Sequence, residues 1–273
     1  MRIITVQFDY PGNDHYQRLF TAFKNSCKIN APDSEFVCLN LKPPEQHLKT
    51  KRSVISNTIK LKAWVDELEK SNEPTLLVDC DMLMLRSLDD VWDMEFDIAF
   101  TYREDGCNLK SNYPYRIDEN GRRIRVGPKP HPDAPVLKRG KGSNHPPYNG
   151  GVMFIRPNDK SIHFMKRLLR INNMMVNDPK LHAFWRGVYA GANQAAFGYI
   201  MERERDKLNC DMKGLSCTEW NSCDDSWLQY KEGFTRMLHI KGALRPFVLG
   251  LKPHPKEVKS LVKLWKSYEN RSL

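Results

Sequence analysis

The sequence predicts an α/β fold built on a mainly parallel, twisted sheet with helices on both of its faces. Three observations predict it. Short apolar runs alternate with amphipathic helical patterns through the first half of the chain, the order that builds parallel sheets. Two carboxylates, Asp79 and Asp81, close one of these apolar runs, where open α/β sheets place their ligands. The chain has 273 residues, 40% hydrophobic and 28% charged, ordinary values for a globular protein large enough to bury a core unaided.

The elements follow in order. Arg2–Phe8 is an apolar, β-branched run ended by Asp-Tyr-Pro-Gly, a buried strand. From residue 14 to about 29, Tyr16, Leu19, Phe20 and Phe23 recur at helical spacing, with Asp14 as N-cap. Glu35–Leu41 reads as a second strand, and Pro43-Pro44 with the basic residues 49–52 as a loop. Residues 57–70 form a helix with Ile59, Leu61, Trp64, Val65 and Leu68 inward, followed by strands at 75–78 and 96–101. Residues 103–147 are polar and rich in Pro and Gly, a long stretch of the kind that is usually functional or mobile. Order returns in a strand at 151–155 and helices at 161–173 and 193–203. A late strand at 236–240 and an amphipathic helix at 255–269, with Val258, Leu261, Val262 and Trp265 inward, complete the chain. No repeat is visible, so we expect one domain over 1–273 with a basic insertion at about 103–147.

The net charge is +10, with a pI near 9.2. Residues 71–102 hold eight acidic and one basic residue, residues 103–149 ten basic and five acidic, and residues 231–273 ten basic and three acidic. Such a surplus attracts nucleic acid, phosphorylated glycans, acidic headgroups or nucleotides. A generally basic, soluble surface fits the same totals. The seven cysteines are scattered without a Cys-x-x-Cys pair, and Cys210, Cys217 and Cys223 match no common zinc spacing. Reduced thiols in a reducing compartment are expected. Mean hydropathy is −0.61, no run approaches the ~20 apolar residues of a membrane span, and the N-terminal apolar run is too short for a signal-peptide core. The expectation is a cytoplasmic protein with no signal peptide or transmembrane segment.

The most informative residues are Asp79-Cys80-Asp81. Two carboxylates this close repel unless a cation or hydrogen bonds compensate. A divalent ion does so, and oxygen ligands suit Mg²⁺ or Mn²⁺. A strand-ending turn with two solvated aspartates is the plainer reading of the same triplet. His239 also follows a short apolar run, Met237-Leu238. It is either a third metal ligand, with Lys241 and the Gly242 amide facing an anion held there, or a structural histidine.

Taken together these segments resemble the family 8 glycosyltransferases, the group of glycogenin and bacterial lipopolysaccharide galactosyltransferases. Asn13-Asp14-His15-Tyr16 is similar to the family's Asn-Asp-x-Tyr, and Lys60-Leu61-Lys62-Ala63-Trp64 to its Lys-Leu-x-x-Trp helix. Residues 77–88 are similar to its Asp-x-Asp strand, and Asp89-Asp90-Val91-Trp92 stands where the family has Asp-x-Leu-Phe. Tyr148-Asn149-Gly150-Gly151-Val152 resembles its Asn-Ser-Gly-Val, and Ala192-Asn193-Gln194 its Asp-Gln helix start. The run from His239 to Pro246 resembles its His-x-x-Gly-x-x-Lys-Pro.

The resemblance implies a GT-A fold, a nucleotide-sugar donor that is usually a UDP-sugar, Mn²⁺ (or Mg²⁺) and retention at the anomeric carbon. It implies that Asp79, Asp81 and His239 hold the metal against the donor diphosphate, with Asp79 also near the ribose. It implies that Asp14 belongs to the donor site, that Tyr16 or Tyr10 stacks on the base, and that Lys60, Lys241 and Gly242 meet the diphosphate or sugar. Asn149 and Gln194 would line the sugar pocket. The chain departs from the pattern at Asn193, which replaces the family's Asp. An amide is a poor nucleophile, so a covalent intermediate there is excluded and front-face attack by the acceptor hydroxyl remains. Arg245 replaces Lys and Gly150 replaces Ser.

The 103–147 stretch carries Arg122-Arg123-Ile124-Arg125 and Lys138-Arg139-Gly140-Lys141 with Tyr113 and Tyr115. Basic and aromatic residues together grip phosphates and stack bases. The acceptor is therefore expected to be anionic, a phosphorylated envelope glycan or a hydroxylated DNA base, unless the stretch is a lid that touches no acceptor. The lysines of the C-terminal helix suit either peripheral membrane contact or a solvated face. Two further readings stay open: a sugar-1-phosphate nucleotidyltransferase, and a non-catalytic nucleic-acid-binding domain. The first usually has a Gly-rich N-terminal loop, and only Gly12 lies there.

Overall fold

The computed structural model describes the chain apart from residues 10, 11, 13, 43–51, 103–114, 118–122, 126–147, 179, 183, 184, 186–191, 224–226, 228, 229, 243, 272 and 273, and the side chains of 52–54, 115–117, 123–125, 192 and 202. Its elements in order are β1 (Arg2–Phe8), α1 (His15–Asn30), β2 (Glu35–Leu41), α2 (Arg52–Leu68), β3 (Thr75–Asp79), β4 (Met82–Met84), β5 (Ile98–Tyr102), β6 (Tyr115–Ile117), β7 (Arg123–Arg125) and β8 (Tyr148–Ile155). There follow α3 (Asp159–Asn177), α4 (Ala192–Arg203), β9 (Met212–Ser216), α5 (Cys217–Trp220), β10 (Met237–His239), α6 (Leu244–Val248) and α7 (Lys259–Glu269). Backbone contacts gather Met1–Pro43, Thr75–Met94 and Cys217–Leu273 into one compact unit, and Pro44–Pro74 with Glu95–Ser216 into another.

In the first unit β1 lies between β2 and β3, parallel to both, with Arg2 opposite Glu35 and Thr75. Strands buried this fully read as unbroken apolar runs, which is why Arg2–Phe8 is visible in the sequence. β4 pairs antiparallel with β10, Met82 opposite His239. The core joins Leu19 and Ala22 of α1, Leu83 of β4, Leu238 of β10 and Leu261, Val262 and Trp265 of α7. Asp14 precedes α1, but its backbone is already helical (φ −85°, ψ −3°) and its side chain accepts no capping bond. N-caps need extended backbone to aim the side chain back at the helix amides, so the expected cap does not form.

In the second unit β5 pairs antiparallel with β8 and parallel with β9. α2 starts at Arg52, earlier than the expected 57, so residue 52 belongs to the helix rather than to a loop. α3 starts from a capping box in which Asn158 and Ser161 exchange side-chain bonds, and Asn158 also donates to Asp97 at 2.7 Å. Phe100, Tyr148, Phe164 and Phe197 form an aromatic core with ring centroids 4.9–5.8 Å apart. Within 103–147, whose greater part lies outside the described residues, β6 and β7 form an antiparallel pair.

Among the described residues the cysteines are free thiols, and no helix is long and apolar enough to cross a membrane.

Candidate functional site

Three residues that are far apart in sequence meet in the first unit. Asp79 ends β3, Asp81 precedes β4, and the antiparallel β4–β10 ladder brings His239 beside them. The backbone fixes this meeting: the Ile240 N–H donates to the Asp81 carbonyl at 2.7 Å, and the His239 N–H to the Ser222 carbonyl at 2.8 Å. His239 Nε2 stands 3.2 Å from Asp81 Oδ1 and 3.9 Å from Asp79 Oδ2. One ligand atom from each residue lies within 4.8 Å of the others. Asp81 and His239 are buried and Asp79 is half-buried.

The electrostatics favour the carboxylate form of Asp81. Burial alone would push its carboxyl up, but His239 and the Arg245 guanidinium outweigh that and hold it well below the usual carboxylate range. Arg245 donates to Asp81 Oδ2 and also to the Tyr16 hydroxyl at 3.0 Å, while its guanidinium lies 5.1 Å over the Tyr16 ring. Burial lowers the Arg245 pKa, and the Asp81 charge more than offsets it. On the far side of the imidazole, His239 Nδ1 faces Asn221 Oδ1 at 3.1 Å. Sequence reasoning missed Asn221, because no spacing motif marks a residue whose role comes from one bridge between the 222 region and β10.

After β10 the chain turns at Gly242, whose φ of +56° favours glycine. Lys241 sits at this turn, half-buried. Asp14 is exposed and Tyr16 half-buried. Tyr10 lies outside the described residues.

The remaining expected site residues belong to the second unit. A pocket of about 350 Å³ has walls from Leu61 and Trp64 of α2, Phe100 of β5, Met153 of β8, Leu168 of α3 and Phe197 of α4. Asn149, Gly150, Asn193 and Gln194 also line it. The β5–β8 register shifts here: Phe100 pairs with Met153 but Thr101 with Asn149, so Gly150, Gly151 and Val152 fall outside the ladder. Such bulges re-aim side chains. The Asn149 carbonyl accepts from Thr101 Oγ1 at 2.8 Å and its Oδ1 from the Gly151 N–H at 3.1 Å. Lys60 is buried on α2, its ammonium 4.6 Å over the Trp64 ring.

With this geometry established, comparison with known proteins is informative. A family model described as nucleotide-diphospho-sugar transferase matches residues 45–241. No curated protein matches the chain by sequence. The solved glycosyltransferase GlyE of Streptococcus pneumoniae TIGR4 is similar with a TM-score of 0.55 at 11% identity, over 99% of this chain and 60% of that one. A glycosyltransferase involved in the glycosylation of the major capsid of PBCV-1 gives 0.53 at 10%, over 89% and 96%. The galactosyltransferase LgtC, solved with donor and acceptor sugar analogs, gives 0.52 at 12%, over 98% and 95%. The chain thus spans 60% of the length of GlyE. At these identities the likeness is one of fold, the GT-A type.

Proposed function

The chain belongs to the nucleotide-diphospho-sugar transferase family, as a family 8-like glycosyltransferase, and on that premise we propose that it moves a sugar from a UDP-sugar to a hydroxyl acceptor with the help of a divalent metal. The convergence of Asp79, Asp81 and His239 carries this reading. The donor set fits Mn²⁺ or Mg²⁺: two carboxylates offer hard oxygens, and the imidazole offers Nε2 because Asn221 engages Nδ1. A cation held by these three residues supplies charge neutralisation at the diphosphate, whose negative charge grows as the bond to the sugar breaks.

The chain's own residues do the rest. Lys60, Lys241 and the Gly242 amide meet the diphosphate, where preorganised positive groups stabilise the developing charge. Asp14 and Tyr16, with Tyr10, attend the nucleoside. Asn149 and Gln194 hold the sugar. Asn193 has no carboxylate to attack C1, so the acceptor oxygen bonds C1 on the face the diphosphate leaves, and the configuration is retained. The acceptor proton goes to the departing diphosphate oxygen.

The basic balance of the chain supports an anionic acceptor, a phosphorylated glycan in the first place. A purely binding domain has no use for the Asp79–Asp81–His239 cluster, and nothing in the site favours nucleotidyl transfer.

The test is UDP release from UDP-sugars with Mn²⁺ present or chelated, without acceptor, with a phosphorylated glycan core, with plain DNA and with hydroxymethylated DNA. Release that needs Mn²⁺ and rises with one acceptor supports the reading. No release and no binding of UDP with Mn²⁺ overturns it.

A further inference from the structure

Resting on the sugar transfer proposed above, we infer that the pocket of the second unit receives an acetamido group and that the donor is a UDP-linked 2-acetamido hexose. Two polar atoms in the pocket carry the argument. Asn193 Oδ1 and Trp64 Nε1 are both buried with no hydrogen-bond partner. Asn193 is 7% exposed and Trp64 fully buried. A buried polar atom left unpaired is costly, and here the two are of opposite kind, one acceptor and one donor. An occupant that satisfies both brings an N–H or O–H for Asn193 and an oxygen for Trp64.

A sugar hydroxyl could serve both atoms, but it brings no carbon to the surrounding apolar walls of Leu61, Phe100, Met153, Leu168 and Phe197. An acetamido group brings an N–H, a carbonyl oxygen and a methyl. In its planar trans amide the N–H and the methyl lie on one side and the carbonyl oxygen on the other. One substituent thus supplies both missing partners and fills apolar space that would exclude a bare hydroxyl. Asn193 fits the same logic. A carboxylate would bring a charge into these walls at high cost, whereas the amide keeps an acceptor oxygen without the charge.

The experiment measures kcat/KM for UDP release by the full chain with Mn²⁺, using UDP-N-acetylglucosamine, UDP-N-acetylgalactosamine, UDP-glucose and UDP-galactose, with UDP binding followed separately by calorimetry. We expect one acetamido donor to exceed its parent hexose by at least about ten-fold, the scale of a small apolar group in a fitted pocket. Asn193→Leu, which removes the acceptor at similar volume, should shrink that ratio several-fold. Trp64→Phe, which removes the indole donor and keeps an aromatic wall, should shrink it too, and UDP binding reports that each variant is folded. If a parent hexose donor matches its acetamido counterpart, or the ratio survives both substitutions, the inference falls while the transferase reading stands. If UDP does not bind and none of the four donors turns over, both fall.

Discussion

Asn221 Oδ1 lies 3.1 Å from His239 Nδ1, and both side chains are buried. An amide oxygen can only accept, so Nδ1 carries the proton and donates it. Nε2 is then the nitrogen turned to the carboxylates, 3.2 Å from Asp81. A partner of this kind fixes the tautomer and the ring plane of a metal-binding histidine. Asn221 follows α5 directly, and the Ser222–Leu238 bridge ties that segment to β10. One local contact therefore holds both the strand and the ring.

Removing this acceptor should weaken the metal site without touching a ligand. Asn221→Leu is expected to lower Mn²⁺ affinity about 10–100-fold, the usual effect of losing a partner behind a metal-bound histidine. Asn221→Asp, which keeps an acceptor oxygen, should restore most of it. Calorimetric titration with Mn²⁺ checks this apart from turnover. Equal affinity in wild type and Asn221→Leu would show that the contact does not prepare the ring for a metal.

The Arg245–Asp81 pair predicts an acid dependence. Asp81 has a depressed pKa in the folded chain. A depressed carboxylate adds stability that is fully present above its unfolded value of about 4 and is lost as pH falls toward the folded value. Arg245→Met removes one of the groups holding it down, so the folded value rises and less stability separates the two states. The variant should be about 1–3 kcal/mol less stable at pH 7, the range for a hydrogen bond to a charged group. Its stability should also depend less on pH below 4. Urea unfolding from pH 3 to 7 measures both, and superimposable curves for the two proteins would contradict the argument.

The parts of the fold legible in the sequence are those whose cause is local. Arg2–Phe8 and Glu35–Leu41 fold as strands over the expected bounds because their apolar, β-branched runs are marked by turn residues at their ends. The inward face of the C-terminal helix shows in the spacing of Leu261, Val262 and Trp265, which are buried. β4 was not legible: Met82–Met84 is three residues long and exists through its ladder with β10. β9, Met-Lys-Gly-Leu-Ser, has no alternation to announce it and is held by pairing with β5. The site divides in the same way. The Asp-x-Asp triplet stands out because it ends an apolar strand, whereas Arg245 contacting Asp81 and Asn221 contacting His239 depend on how distant segments pack. The β5–β8 bulge that sets Asn149 is equally a product of strand pairing.

Trp265 should be a large contributor to the first unit. It is fully buried in the core that joins α7 to α1, with the Arg18 guanidinium 5.4 Å from its ring and Arg18 paired to Glu269 at 2.6 Å. Trp265→Ala leaves a cavity that the neighbours fill only in part, and a loss of about 3–5 kcal/mol is expected. Lys263→Gln on the exposed face of the same helix should change stability by no more than about 0.5 kcal/mol. Thermal and urea unfolding of the two variants separates the packed face from the solvated one.

Asp81→Asn separates catalysis from mere attraction of polyanions. The substitution keeps the size of the side chain and removes one negative charge beside His239 and Arg245. If Asp81 holds a cation against a diphosphate, Mn²⁺ binding falls steeply and UDP release drops by about 10²–10³, the cost of losing one preorganised charge-stabilising group. Affinity for heparin or DNA rests on the net charge of +10, so it should stay level or rise slightly. Full turnover in the variant would remove Asp81 from the metal site. Loss of both turnover and polyanion binding would mean that the substitution unfolds the chain, which circular dichroism of the same sample decides. Loss of turnover with polyanion binding intact is the result that the buried triad of Asp79, Asp81 and His239 leads us to expect.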